Sequence, residues 1–135
     1  MKPPHFLAFL LVCLSCIICC SDDDDSKDER SACGVANILE DLDWLRDEIA
    51  DREQSTSPDI QYCYITKATW NGQTVFLYED CNPLINKVVP VLDCEGTSLG
   101  AVGVAVDRNE LSDFCTVWSP DNFACLIDFS CVVQQ

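Results

Sequence analysis

The 135-residue sequence predicts an α+β domain: one N-terminal amphipathic helix packed on an antiparallel β-meander of about four to six strands, with disulfides. Three observations predict it. Apolar residues recur at helical spacing between Val35 and Gln54, two strand-like runs flank an Asn71-Gly72 dipeptide, and seven cysteines lie downstream of an apolar N-terminal segment.

The N-terminal segment comes first. Phe6 to Ile18 is apolar apart from Cys13, Ser15 and Cys16. As a helix these residues would span about 20 Å, short of the ~30 Å hydrocarbon core of a bilayer. With Lys2 before it and small residues at its end, the segment reads as an export signal covering residues 1–19. Residues 20–31 form an acidic tether without an apolar cluster to bury, and residues 32–135 form a single domain.

The helix is expected from Val35 to about Gln54. Ile38, Leu42, Leu45 and Ile49 fall within about 60° of arc at 100° per residue, and Val35 and Leu39 widen the stripe. Asn37 followed by Glu40 suits a helix start, and Ser55, Ser57 and Pro58 end it. The strands follow. Ile60–Trp70 and Gln73–Glu79 form a hairpin, because Asn-Gly accepts the positive φ angles of a type I′ turn. A two-residue turn sets Trp70 opposite Gln73 and Cys63 opposite Asp80. Strict alternation then puts Tyr64, Thr66, Ala68, Trp70, Val75 and Leu77 on one face, and Cys63, Ile65, Lys67, Thr69, Thr74, Phe76 and Tyr78 on the other. Tyr62 is expected on the Tyr64 face. A third strand is read over Leu84–Cys94, with Pro90 marking an edge or a bulge, and a fourth over Thr97–Val106 after Glu95-Gly96. Phe114–Trp118 reads as another short strand, and Phe123–Val133 as a last strand or docked tail.

Cys33, Cys63, Cys81, Cys94, Cys115, Cys125 and Cys131 are the disulfide candidates. Seven is odd, so at least one is free or pairs with another chain. Cys63 and Cys81 share the open end of the hairpin and form the favoured pair. Cys94 is expected near the Asn-Gly turn, far from Cys81.

Charge and composition narrow the function. A formal net charge of −15 argues against nucleic acid and against an anionic membrane surface. His5 lies in the signal, so the remaining chain has no histidine for a Ser-His-Asp or Cys-His centre or for zinc. No catalytic motif or cofactor motif is visible, and Asp107, Asn109 and Asp113 fail as a calcium loop because Leu111 and Ser112 break its pattern. The expectation is a non-enzymatic protein with no cofactor and no metal. Tyr62, Tyr64 and Trp70 are candidate contacts for sugar rings, and Trp44, about 120° from the helix stripe, is a candidate anchor for a protein partner.

Cys20-Ser21-Asp22-Asp23-Asp24-Asp25 resembles the export tag of Bacteroidetes surface lipoproteins, in which serine and acids follow the lipidated cysteine. The resemblance implies lipidation at Cys20 and display at the outer membrane or cell surface. Cys16, preceded by the small Ser15, is the competing attachment point, and Cys19 departs from the small residue expected before Cys20. Gly72, Thr74, Val75, Phe76, Cys81, Cys94 and Gly96 also resemble small uncharacterised Bacteroidetes lipoproteins, a family with no activity to carry over. The expected function is a lipid-anchored surface lipoprotein, held at the membrane by its lipid, that binds a protein partner or envelope complex. The alternatives are a glycan-binding accessory using the aromatic face and a secreted, protease-inhibitor-like disulfide protein.

Overall fold

A computed structural model describes residues 31–127. Residues 1–30, with the expected signal, the expected lipid site at Cys20 and most of the expected tether, and residues 128–135, with Cys131, lie outside the described residues. The fold is α+β: two short helices on a five-stranded antiparallel sheet ordered β4-β3-β2-β1-β5. The strands are β1 (Cys63–Trp70), β2 (Gln73–Asp80), β3 (Pro90–Leu92), β4 (Ser98–Ala101) and β5 (Leu111–Trp118).

The β1–β2 hairpin forms in the expected register, with Trp70 opposite Gln73 and Cys63 opposite Asp80. Asn71 (φ 50°) and Gly72 (φ 75°) supply the two positive φ angles that let the strands keep their twist. β1 to β4 make the meander, and β5 then crosses the sheet to pair with the far side of β1.

The expected helix is two helices. α1 (Ile38–Asp41) and α2 (Asp43–Glu53) are separated by Leu42, which is extended at φ −96° and ψ 97°. Asn37 caps α1 by accepting from the Leu39 N–H at 3.1 Å. The carboxylate that reaches back to the Asn37 N–H is Asp41, at 3.0 Å, rather than Glu40. Arg46 satisfies the Glu40 carbonyl at 2.9 Å and pairs with Asp43, so the break leaves few orphan groups. In an unbroken helix Trp44 would point away from the Ile38/Leu45 stripe. The break reorients α2 so that Ile38, Leu45 and Trp44 join one cluster with Ile65, Phe76 and Trp118.

Four strands, β1, β3, β4 and β5, are shorter or longer than periodicity suggests, each for a local reason. Before β1, Pro58–Tyr62 is a 3₁₀ turn capped by Ser57, which accepts from the Asp59 N–H. Before β3, the Asn82 side chain accepts from the Leu84 N–H at 3.0 Å and Asp80 accepts from the Asn82 N–H at 2.8 Å. These Asx turns divert the chain, so Asn82–Val89 is a loop and only Pro90–Leu92 pairs. β3 is an interior strand, with Pro90 at its first position, where a missing N–H costs least, and a register shift between Val91 and Leu92. β4 ends at Ala101 because the chain turns through Gly103. Gly100 takes a positive-φ conformation where a Cβ would lie 2.5 Å from that of Ala105. β5 starts at Leu111, three residues before the expected Phe114, because Asp107 caps a 3₁₀ turn over Arg108–Glu110. Asp113, at φ 53°, sits in the register shift between β1 and β5.

The two sheet faces have separate cores. Ile65 and Phe76 lie under the helices, where Arg52 covers Tyr78 at 4.5 Å and pairs with Glu48. Burial, then the nearby Glu48 carboxylate, pushes the Tyr78 phenol up to about 12. The opposite face carries Ala68, Val75, Leu77 and Val91, covered by Val106, Leu111 and their neighbours from the β4–β5 connection.

Thr66 is on this second face, 1% exposed, and its hydroxyl has no hydrogen-bond partner among the described residues. Replacing it with its apolar isostere removes an unmet polar group without opening a cavity. Thr66→Val is therefore expected to raise unfolding stability by about 1 kcal/mol in urea titration; a loss of stability would show that the hydroxyl is bonded in solution.

Candidate functional site

The three sheet aromatics do not form one open platform. Tyr62 lies in the 3₁₀ turn, where strand alternation does not set its direction, and its carbonyl accepts the Cys81 N–H at 3.0 Å. Tyr64 is only 6% exposed and packs edge-on against Phe123, 5.5 Å between ring centroids. Burial and then the adjacent Glu79 charge push its phenol up. Trp70 stands six residues away at the far end of β1, about 20 Å along the strand, and its indole N–H donates to Glu110 at 3.1 Å. Tyr64 and Trp70 share the face turned away from the helices, so the core that Trp70 borders is the second one.

On the same face, Glu79 is buried and pairs with Arg108 at 3.0 Å, while the Arg108 guanidinium lies 5.2 Å from the Phe114 ring centre. Sequence alternation separates Glu79 from Asp80 across the two faces, and each has found a basic partner. Neither is a bare carboxylate set up for acid–base work.

Trp44 is held from three sides. Its indole N–H donates to the Cys94 carbonyl at 2.8 Å, and its ring meets Phe76 edge-on at 5.2 Å. Gly96 closes the third side. A Cβ at Gly96 would lie 2.8 Å from the Trp44 ring, and its φ of 76° already favours glycine. The packing partner is thus the β3–β4 turn and the Cys33–Cys94 bridge beside it.

Two bridges are seen within the described residues, Cys33–Cys94 and Cys81–Cys125, and Cys115 is disulfide-bonded as well. The expected Cys63–Cys81 pair is corrected: Cys63 is a free thiol. The reason is the pleat. Cys63 opposes Asp80, so the next residue, Cys81, points to the other face and meets Cys125 there. Cys94 does lie near the Asn-Gly turn, its sulfur 3.8 Å from the Thr74 carbonyl.

Cys63 belongs to a polar cluster. Its sulfur is 3.5 Å from Asp80 Oδ2 and 3.6 Å from the Asp59 carbonyl. Lys87 Nζ binds Asp80, and Asn82 Nδ2 donates to Asp59 at 3.3 Å. Burial pushes the Cys63 thiol up, and the Asp80 charge and hydrogen bond add to that shift. The thiol therefore stays protonated at neutral pH and is a poor nucleophile. For Asp80, burial acts upward, but the Lys87 hydrogen bond, the Asn82 N–H and the Cys63 thiol together hold the carboxyl below its ordinary value. The Asp80–Lys87 hydrogen bond pushes the Lys87 ammonium up in turn.

What sequence reading missed is the loop between β2 and β3. Leu84 is 91% exposed, Val88 is 68% exposed, and Ile85 is exposed as well. Leu126, beside Cys125, is also fully exposed. The Cys81–Cys125 bridge brings these two segments together, with Cα atoms 5.9 Å apart. The signal was the Asn82-Pro83 dipeptide, which marks a turn inside a run otherwise read as a strand.

Among the described residues, no group of three or more His, Cys, Asp or Glu side chains is placed to hold a metal ion, and no helix is long and apolar enough to cross a membrane. No protein family matches the chain, and no curated protein or solved structure does either.

Two outcomes are expected from these contacts. Gly96→Ala drives a Cβ into the Trp44 ring in a strained backbone conformation, so it should cost more than the ~1 kcal/mol of an ordinary positive-φ substitution; calorimetry against wild type checks this. Asp80 has a folded pKa below its unfolded one, so its stabilisation is complete above the unfolded value, near 3.9, and is lost as pH falls through the folded one. Asp80→Asn should therefore be less stable than wild type at neutral pH, with the gap closing in acid. It should also speed the reaction of Cys63 with Ellman's reagent; an unchanged rate would contradict the role given to Asp80.

Proposed function

We propose that the chain is an exported lipoprotein anchored by acyl chains on Cys20, whose domain is a non-enzymatic module that binds another envelope protein. The bridges Cys33–Cys94 and Cys81–Cys125 carry this reading. Such bridges form and persist in oxidising compartments outside the cytosol. An apolar leader followed by Cys20-Ser21 and four aspartates is a route to one. Residues 21–32 would reach about 40 Å when extended, enough to hold the domain clear of the lipid headgroups.

The binding surface proposed is the loop Asn82–Val89. It exposes Leu84, Ile85 and Val88, and no acid occurs between Cys81 and Leu92, in a chain of net charge −15. A protein with a matching apolar surface meets least repulsion there. The aromatic glycan reading draws less support, because Tyr64 is buried and the Trp70 N–H is engaged. Trp44 is likewise engaged as a partner anchor. One observation favours a protease-inhibitor-like reading second: Leu84 projects from a loop whose base is fixed by Cys81–Cys125.

Two experiments test the reading. In detergent phase partition, the wild-type protein is expected in the detergent phase with an acylated N-terminal Cys20, and Cys20→Ala in the aqueous phase. An unmodified mature N-terminus would overturn the anchor. A photo-crosslinker at Val88 in intact cells is expected to yield a discrete adduct with one envelope protein that Leu84→Asp abolishes. Equal adducts with and without that change would remove the loop from binding, and inhibition of a chymotrypsin-like protease would favour the second reading.

A further inference from the structure

We infer that Asp80 and Asn82 hold the Asn82–Val89 loop as a preformed ridge, and that its partner is a protein with a concave apolar pocket, rimmed by lysine or arginine, that takes Leu84 as the loop stands. The inference rests on the proposed reading of this loop as the binding surface, and adds what holds the loop and what it fits.

The loop is pinned along its whole length. Before it, the Cys81 N–H donates to the Tyr62 carbonyl at 3.0 Å, and Cys81 is bridged to Cys125. The Asp80 carboxylate is buried and takes two donors from the loop. One is the Asn82 N–H at its start, at 2.8 Å, and the other is the Lys87 ammonium on its far limb. Asn82 is buried as well. Its side chain accepts from the Leu84 N–H at 3.0 Å and donates to Asp59 at 3.3 Å, which ties the loop to the 3₁₀ turn before β1. The Asn82 carbonyl accepts from the Ile85 N–H at 3.4 Å, and at the exit the Val89 carbonyl accepts from the Val102 N–H at 3.0 Å.

Leu84, Ile85 and Val88 lie between these pins, and all three side chains are exposed. A mobile loop with three aliphatic side chains would turn some of them onto the domain, because apolar surface leaves water wherever the chain can move. The pins prevent that collapse. A loop already fixed in its bound form binds without the cost of ordering it. A projecting leucine adds most to binding when it fills a pocket that excludes water. Charge sets the rest of the partner's chemistry. Lys87 is neutralised by Asp80 and no acid occurs between Cys81 and Leu92, so the centre of the contact is uncharged. Asp59 borders it, and the whole chain carries −15, so a basic rim is attracted and an acidic one repelled.

Hydrogen exchange on the intact chain, read at single amides by NMR, and the Val88 photo-crosslinker in intact cells test this together. In wild type the Leu84 amide is expected to be protected. Asn82→Ala and Lys87→Ala should each speed its exchange about tenfold while the amides of β1 keep their wild-type rates; a purely structural role would move both together. Lys87→Arg, which keeps the ion pair, should restore protection. In cells, Lys87→Ala should lower the Val88 adduct about tenfold at equal protein level, and Lys87→Arg should restore it. The crosslinked partner residues should be apolar and lie in a recess flanked by lysine or arginine. A wild-type Leu84 amide that exchanges at the open-chain rate would overturn the preformed ridge, as would an adduct undiminished in Lys87→Ala; the binding reading survives both. An absent wild-type adduct overturns that reading and the pocket with it. An adduct with lipid overturns the protein partner, and one with a flat or acidic protein surface overturns the pocket. If Asn82→Ala fails to fold, Lys87→Ala decides, since the Lys87 side chain reaches solvent.

Discussion

The register of the β1–β2 hairpin is the constraint on which the other packing choices rest. Asn71 and Gly72 close it with two left-handed residues, and Cys63 then faces Asp80 while Trp70 faces Gln73. A one-residue slip would exchange the two faces completely. Because both faces are apolar, the hairpin cannot stand against a single layer. Ile65 and Phe76 need the helices, and Ala68, Val75 and Leu77 need the segment that crosses from β4 to β5. β5 pairs with β1 rather than with β4 because that crossing carries it over the second face.

The same alternation governs the cysteines. Adjacent strand positions point to opposite sides, so Cys63 stays with Asp80, Lys87 and Asp59 while Cys81 meets the C-terminal segment. Each observed bridge ties a segment outside the strands to a connection at the edge of the meander, after β3 for one and after β2 for the other. Cys33–Cys94 holds the chain before α1 next to the turn that clasps Trp44, and Cys81–Cys125 holds the chain after β5 next to Tyr62. With sequence separations of 61 and 44, a chain-entropy account assigns about 4 kcal/mol to each. That is a large share of the stability of a domain this small.

The tertiary structure also moves the search for a functional surface. Aromatic residues that look like ligand contacts in the sequence have their polar atoms or rings engaged: Trp44 with Cys94 and Phe76, Trp70 with Glu110, Tyr64 with Phe123. The apolar surface that stays in water is aliphatic and lies on the loop after Cys81. Large apolar side chains held in solvent on a loop pinned at its base are the more unusual feature, and the proposed partner contact is placed there.

Local chemistry alone determined the hairpin, its register, the alternating faces, the Asn37 cap and the odd thiol count. Each depends on residues within a few positions, on a period of two or on parity. Local chemistry also pointed to the helical stripe, since Ile38 and Leu45 are buried whether or not the helix is continuous. Four other features were decided in three dimensions. The break at Leu42 follows from seating Trp44 on Gly96, 52 residues away in sequence. The shortening of the third strand follows from Asx turns at Asn82 outcompeting ladder hydrogen bonds. The partner of Cys81 follows from where β5 delivers Cys125, and the exposure of Leu84 follows from the loop that those turns create. Periodicity reports the face a residue prefers, but it carries no record of which distant segment arrives to cover that face.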